Sequence, residues 1–139
     1  MTILNIETST SCCSAAITID GQSVASVENL NNANHASELP RFIEQLLMTA
    51  KQNGWHLDAV ALSQGPGSYT GLRIGASTAK GICYGLNIPL IPIDTLQVLC
   101  ASVPSGVLPD NALLCPMLVA RRMEVYNALY QKTEEQLSS

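Results

Sequence analysis

Aromatic and charged residues are both scarce in this 139-residue sequence. Phe, Trp and Tyr together make up 4% of it, while 47% of its residues are hydrophobic. The core must therefore be built mainly from aliphatic side chains, and the length is enough for one domain and part of a second. No apolar run approaches the ~20 residues of a membrane-spanning helix. We therefore expect a cytoplasmic protein with no membrane segment.

Positive charge is in deficit as well. Seven Lys and Arg residues against eleven Asp and Glu residues give a formal net charge of -4. Proteins that hold nucleic acid by themselves usually present a basic surface, because neutralising phosphates supplies most of the non-specific affinity. The composition therefore predicts a poor stand-alone binder of RNA or DNA.

Residues for metal binding or covalent catalysis are also few. The two histidines, His35 and His56, have no second ligand at helical spacing, and a metal centre needs three or four convergent ligands. No Ser/His/Asp or Cys/His set stands out, so we predict no catalytic residue and no metal site. The five cysteines, with no C-x-x-C pair, are typical of reduced thiols that are mostly buried.

The order of predicted elements indicates an α/β fold. Apolar stretches at 2–8, 12–20 and 22–29 predict an antiparallel meander, with a hairpin turn at Asp20-Gly21. A helix, a strand, a second helix and a strand follow, which favours parallel pairing. The order β-β-β-α-β-α-β is that of the ribonuclease H-like lobe found in actin-like ATPases.

The first helix has the clearest pattern. Apolar residues from Leu39 to Ala50 recur at three- and four-residue spacing, which predicts one buried stripe. Ser37 is the expected N-cap, Pro40 is tolerated in the first turn, and Gly54 should end the helix.

The chain should divide into two parts. We assign residues 1–102, including a short helix over 95–101, to the first lobe. The Pro- and Gly-rich stretch 103–111 is typical of a linker. Two further strands, at 112–120 and 123–131, would begin a second lobe spanning 112–139, apparently truncated.

The stretch "LSQGPGSYTGLRIG" (Leu62–Gly75) resembles a phosphate-binding loop without matching a known one. No Lys follows Gly71, as a Walker A loop requires, and the spacing of Gly65, Gly67 and Gly71 is one residue too long for G-x-G-x-x-G. Two interpretations remain. Ser68 or Thr70 is a plain N-cap, or the amides at the helix start bind an anion.

A second candidate phosphate-binding site lies at the end of the first strand. Glu7, Thr8 and Ser9 stand where kinase-like members of this fold would meet phosphate and magnesium, or they form a hydroxyl-capped turn. With Gly67 and Ser68 they make up a weak nucleotide-site prediction. We expect no tightly bound cofactor, and ATP or ADP with Mg only at a subunit interface. Arg121 and Arg122 form a basic patch that is solvated or contacts phosphate or a partner's carboxylates.

Glycines interrupt the second helix at a cost. Gly71, Gly75 and Ala79 share one face, and each interior Gly costs about 0.5–1 kcal/mol relative to Ala. Such a face lets another backbone approach closely, and that backbone belongs either to the chain's own sheet or to a partner's helix. Arg73 and Lys80 would flank a partner contact and pair with its acids.

Three stretches together resemble the TsaB (YeaZ) family over essentially the whole chain. They are "ILNIETSTSCCSAAI", "LSQGPGSYTGLRIGASTAKGICYGLNIPLI" and "ARRMEVYNALY". The resemblance implies an actin-like ATPase fold without the H-x-x-x-H metal pair of the catalytic paralogue, because Leu39 stands four residues after His35. Family members are longer, and they usually carry Asp where this chain has Val119.

The resemblance also implies a function. The chain would be a non-catalytic subunit that dimerises with and activates a TsaD-like catalytic subunit, alongside a TsaE-like ATPase, to form threonylcarbamoyladenosine in tRNA. It would form a homodimer when alone and meet tRNA only through the complex. Alternatives are an ATP-binding domain with weak hydrolysis and an M22-type metallopeptidase. The expected partner interface consists of Gly71, Arg73, Gly75, Ala79 and Lys80, with Leu39 and Ile43 from the neighbouring helix.

Overall fold

Five strands form the main sheet, in the order β3-β2-β1-β4-β5. The computed structural model describes residues 1–30, 34–104, 107–109, 111–132 and 137–138. The strands are β1 (Thr2–Glu7), β2 (Cys13–Ile19), β3 (Gln22–Asn29), β4 (Ala59–Gly65) and β5 (Leu90–Asp94). The first three pair antiparallel, and β4 and β5 add in parallel. This is the predicted ribonuclease H-like arrangement, so the fold class is confirmed.

The hairpin between β2 and β3 turns where the sequence predicts. Asp20 and Gly21 both have positive φ angles, 49° and 81°, which a two-residue turn of this kind requires. Asp20 also forms an ion pair with the amino group of Met1. At the opposite side of the sheet, β5 is an edge strand that contains the exposed Pro92.

Two long helices cover one face of the sheet and enclose the core. They are α1 (His35–Asn53) and α2 (Tyr69–Leu86), and a short helix, α3 (Thr95–Ala101), follows β5. The core is aliphatic, as the composition predicts. Its largest fully buried side chains are Leu4, Ile17, Leu39, Leu46 and Val60.

The start of α1 differs from the prediction. The helix begins three residues earlier than expected, with Asn34 in the N-cap position, and the Ser37 hydroxyl donates to the Asn34 carbonyl at 3.1 Å. Ser37 therefore lies inside the first turn, and Pro40 lies further into the helix than expected. Gly54 does end the helix, with a left-handed φ of 69°.

The segment after α3 is also more divided than expected. The two predicted strands are each broken, giving β6 (Leu113–Leu114), β7 (Met117–Val119), β8 (Val125–Asn127) and β9 (Tyr130–Lys132), with β10 (Leu137–Ser138) beyond. Pro116 supplies no N–H to a ladder and follows the end of β6. β7 and β8 form a hairpin, while β10, β9 and β6 form a separate small sheet.

A second apolar cluster joins this segment to α3. Leu96 and Cys100 of α3 pack with Tyr130, and Leu114 and Leu118 pack against them. The Tyr130 hydroxyl donates to the Asp94 carboxylate at 3.1 Å. The predicted linker, 103–111, lies partly outside the described residues, and the division into lobes stays a prediction. Within the described ranges, no helix is both long and apolar enough to cross a membrane.

Candidate functional site

Glu7, at the end of β1, is held by hydrogen bonds inside the chain. One carboxylate oxygen accepts from the Ser9 N–H at 2.6 Å, and the other accepts from the Ser63 hydroxyl at the end of β4. The carboxylate therefore ties β1 to β4. Glu7 and Ser63 line a cavity on one face of the sheet, and Val98 of α3 lines it too. This cavity does not include the Gly-Pro-Gly loop before α2.

Thr8 and Ser9 lie beneath the start of α2. Both are buried, and within the described part of the chain neither hydroxyl has a hydrogen-bond partner. The Ser9 carbonyl accepts from the Ser68 N–H at 2.6 Å, which fixes the loop against the end of β1. Thr8 is fully buried under the helix and is not open to a ligand.

The Gly-Pro-Gly loop is shaped by close contact with this turn. A Cβ on Gly67 would overlap the Ser9 carbonyl oxygen, and Gly65 has a φ of 118°, which L side chains rarely adopt. Ser68 is the N-cap of α2, and its hydroxyl oxygen accepts from the Gly71 N–H at 3.3 Å. The N-cap interpretation is confirmed for Ser68, and it leaves the anion interpretation open.

The small-residue face of α2 packs against the chain's own sheet. A Cβ on Gly71 would overlap the Thr8 carbonyl oxygen, and one on Gly75 would overlap the Thr8 hydroxyl and stand 3.0 Å from Leu62 Cδ1. Ala79 is fully buried. This face is occupied from within, so the assignment of Gly71, Gly75 and Ala79 to a partner interface is wrong.

Of the other four predicted interface residues, two are buried and two are exposed. Leu39 and Ile43 are both buried in the main core, and Leu39 offers no exposed side chain to a partner. Ile43 borders the groove between α1 and α2 that is described next. Arg73 and Lys80 are exposed on the outward side of α2. The Arg73 guanidinium lies 5.5 Å from the centre of the Tyr69 ring, within range of a cation–π contact. For these two residues the interface stays a prediction.

The structure contains a groove between α1 and α2 that the sequence does not predict. It has a volume of about 490 Å³ and is mainly apolar. Its lining residues are Pro40, Ile43, Glu44, Leu47, Met48, Lys51 and Thr78. Met48 is 57% exposed, although its type favours burial. Met48, an apolar residue outside the predicted stripe, is the signal in the sequence for this groove.

Two further glycines of α2 are exposed. At Gly81 and Gly85 an added Cβ would have no described atom within 4 Å. They lie on the same side of the helix as Thr78, within about 60° of it, because each residue turns an α-helix by about 100°. The second half of α2 therefore carries glycines for which internal packing gives no reason.

A larger cleft lies between the loop before α2 and the β7–β8 hairpin. Its volume is about 990 Å³. The wall on the α2 side is formed by Ser9, Gly67, Ser68, Tyr69 and Thr70, with Thr10, Ser11 and His35 nearby. The hairpin wall is formed by Leu118, Val119, Ala120, Arg121, Arg122, Glu124 and Tyr126. Of the five predicted nucleotide-site residues, the cleft brings together Ser9, Gly67 and Ser68, and leaves out Glu7 and Thr8.

The hairpin side of the cleft carries net positive charge. Arg121 and Arg122 are exposed and form no ion pair with any described residue. The turn is tight, since Arg122 and Met123 have φ angles of 62° and 61°. Val119, where the resemblance leads us to expect Asp, is 88% exposed on the same wall. Glu124 supplies the wall's negative charge.

The buried thiols are poor nucleophiles. Burial, with a smaller effect from the Glu38 carboxylate, raises the pKa of Cys13 to about 11. Burial also raises the pKa of Cys83 and of Cys100. Because the thiolate is the reactive form, a raised pKa makes these three thiols less nucleophilic at neutral pH. Within the described ranges, no three His, Cys, Asp or Glu side chains converge as metal ligands.

Comparisons with known proteins identify the family. Residues 27–139 match the family model "TsaD: tRNA N6-adenosine threonylcarbamoyltransferase". The chain is 34% identical over 136 residues to the "tRNA threonylcarbamoyladenosine biosynthesis protein TsaB" of Escherichia coli K12, covering 96% of this chain and 57% of that protein. The Haemophilus influenzae protein of the same name is 31% identical over 126 residues, covering 91% of this chain and 52% of that protein.

A solved structure gives the same result for the fold. The protein described as "YeaZ from Pseudomonas aeruginosa" superposes with a TM-score of 0.81 at 27% identity, covering 99% of this chain and 63% of that one. The chain spans between about half and two thirds of the length of these relatives.

Proposed function

Since this chain belongs to the TsaD family, and within it to the TsaB/YeaZ group, we propose that it serves as a partner subunit in forming threonylcarbamoyladenosine in tRNA. The names of its relatives support the pathway. The choice of a partner role over a catalytic one rests on the residues themselves. Leu39, which stands where H-x-x-x-H would need its second histidine, is buried in the core and offers no ligand atom.

The α1/α2 groove is the observation that carries the proposal. An apolar groove with an exposed methionine is typical of a site that another protein covers. Gly81 and Gly85, beside the groove, would let the backbone of a partner helix come close. Glu44 and Lys51 lie at its sides and would pair with opposite charges across the contact. The partner is a TsaD-like catalytic subunit, with a TsaE-like ATPase joining the complex.

The same groove would serve a homodimer when the chain is alone. A two-fold interface uses one patch on both copies, and an apolar groove flanked by one acid and one base is self-complementary. Transfer RNA would then be held mainly by the assembled complex, in keeping with the net charge of -4.

Sedimentation velocity tests the proposal, using the chain alone and mixed with a TsaD-like subunit. The native chain should form a dimer alone and a heterodimer in the mixture. Met48→Glu should weaken both, because it places a charge in the groove. Val24→Glu is the matched control, since Val24 is an exposed apolar residue on β3. The proposal fails if the native chain stays monomeric in both samples, or if Val24→Glu has the same effect as Met48→Glu.

A second candidate function is the binding of a nucleotide's phosphates in the cleft. Main-chain amides at the start of α2 and the guanidinium groups of Arg121 and Arg122 face one another across it, a donor set that suits phosphate. The unpartnered hydroxyl of Ser9 lies under the same wall. Glu7 does not fit the expected role beside magnesium, because both of its oxygens are engaged and it lines another cavity.

Calorimetry with ADP, and with ATP and magnesium, tests this candidate on the native chain and on its complex. Arg121→Gln/Arg122→Gln should abolish the heat of binding, while Arg41→Gln, an exposed arginine of α1, should leave it unchanged. Absence of heat from the native chain and from the complex would remove the candidate and leave the partner role untouched.

A further inference from the structure

Three of the chain's four tyrosines are exposed, and all three lie on α2 or across the cleft from its start. Tyr84 is 93% exposed, Tyr69 is 73% exposed and Tyr126 is 47% exposed. An aromatic ring left in water at this level loses the stabilisation that burial would give. Since the chain has few aromatic residues, their concentration on one side needs an explanation other than packing.

Basic side chains alternate with these tyrosines. Tyr69, Arg73, Lys80 and Tyr84 follow one another at intervals of four, seven and four residues, so they form a line along one side of α2, about 22 Å long. All four are exposed, and the Arg73 guanidinium already lies over the Tyr69 ring. The helix contains no Asp or Glu.

The line continues into the cleft. Tyr69 shares the cleft wall with Arg121, Arg122 and Tyr126 from the hairpin. Four of the seven Lys and Arg residues therefore lie on one continuous surface. Several acids are engaged elsewhere in the described structure, since Asp20 pairs with the amino terminus, Glu7 with Ser63, and Asp94 caps α3. Glu124 is the acid that the cleft lining places beside these cations.

This surface, which we call the tyrosine–arginine band, consists of Tyr69, Arg73, Lys80, Tyr84, Arg121 and Arg122. We propose that the tyrosine–arginine band binds a single-stranded loop of RNA within the assembled complex. Cations would meet the phosphates and exposed rings would stack on unpaired bases, the combination by which proteins hold single strands. The choice of RNA rests on the proposed tRNA function.

The tyrosine–arginine band is separate from the α1/α2 groove. Arg73, Lys80 and Tyr84 are turned by about 120–160° around α2 from Thr78, which lines the groove. A partner seated in the groove would therefore leave the band facing outward. This separation gives Arg73 and Lys80 a role different from the protein contact predicted for them.

Fluorescence anisotropy with a labelled RNA hairpin carrying a seven-nucleotide loop tests the inference, with the same stem as a blunt duplex for comparison. The native chain and its complex with a TsaD-like subunit are titrated at low salt. The complex should prefer the looped hairpin, and it should bind the hairpin more tightly than the chain alone, whose net charge is -4. Arg73→Gln/Lys80→Gln should weaken binding about tenfold and lower the salt slope by about two, one for each lost phosphate contact. Tyr84→Ala should weaken it about fivefold with the slope unchanged.

Arg41→Gln, which removes one positive charge outside the band, is the control and should bind the hairpin as the native protein does. Circular dichroism checks that every variant is folded. No anisotropy change with the native chain and its complex, or equal binding by all variants, overturns the inference. So does loss of the protein complex with RNA binding retained in Arg73→Gln/Lys80→Gln, since the residues then contact protein. Met48→Glu should lose the protein complex in sedimentation velocity, whereas Arg73→Gln/Lys80→Gln should keep the complex and lose hairpin binding, so a failed groove and a failed band give different results.

Discussion

Gly71 and Gly75, in the first half of α2, touch the end of β1, whereas Gly81 and Gly85, in the second half, have no described atom near the position of a Cβ. Both pairs have the same four-residue spacing, and each glycine costs the helix a similar amount. The difference lies entirely in what stands opposite them. In the first half of α2, the chain's own Thr8 leaves no room for a side chain. In the second half, we propose that a partner's backbone needs the space that a side chain would fill.

Gly71→Ala should have the largest effect on the comparison. The new methyl group would overlap the Thr8 carbonyl oxygen, a backbone atom that cannot rotate away, so we expect a loss of about 3 kcal/mol in the free energy of unfolding. Urea denaturation followed by circular dichroism measures it. A loss under about 1 kcal/mol would show that the end of β1 adjusts easily and that the glycine there is not required.

Gly75→Ala should cost less, about 1–2 kcal/mol, because its neighbours are the side chains of Thr8 and Leu62. Pairing it with Thr8→Ala removes the main overlap, so the double variant should be more stable than the sum of the two single effects predicts. Strictly additive effects would mean that Thr8 does not cause the strain.

Gly81→Ala should change stability in the opposite direction. With nothing in the way, the gain in helix propensity raises the free energy of unfolding by about 0.5–1 kcal/mol, and Gly85→Ala should behave alike. Both changes should weaken the complex with a TsaD-like subunit in sedimentation velocity. If a variant is stabilised and its association is unchanged, these two glycines are needed neither for internal packing nor for binding a partner.

The native chain and the glycine variants should share a pH dependence of stability. The pKa of Cys13 is raised from its ordinary value of about 9 to about 11, chiefly by burial, so the folded state holds this proton more tightly than the unfolded state. The stability that this provides is complete below pH 9 and is lost as the pH rises towards 11. Urea denaturation at pH 8 and pH 10.5 should show the fall, and Cys13→Ala should reduce it.

Local signals in the sequence predict most of the elements in residues 1–102. Asp20-Gly21 gives the hairpin, the stripe from Leu39 gives α1, and Ser68 gives the cap of α2, because each depends on residues close together in the chain. The pattern predicts Ser37 as the N-cap of α1, whereas Asn34 takes that position. The two differ because several polar residues before the helix are plausible caps. Pro116, which lies between β6 and β7, is the residue that indicates a break in the first of the two strands predicted after α3.

The site was predicted less well, because it depends on contacts between distant residues. A glycine face has the same spacing whether it meets β1 or another protein, so the spacing of Gly71 and Gly75 predicts a close neighbour without identifying it. Arg121 and Arg122 stand more than fifty residues from Ser68, and only the fold brings them to the same cleft. The groove at Met48 requires both helices to be in place before it exists.

Pro92 also bears on how copies of this protein can aggregate. An edge strand with a regular row of free N–H groups is a template on which further strands add and fibrils grow. Proline in the edge strand β5 interrupts that row, since it has no N–H to give. Growth from this edge of the sheet is thereby disfavoured, whereas β3, the strand at the opposite edge, contains no proline and keeps its row of N–H groups.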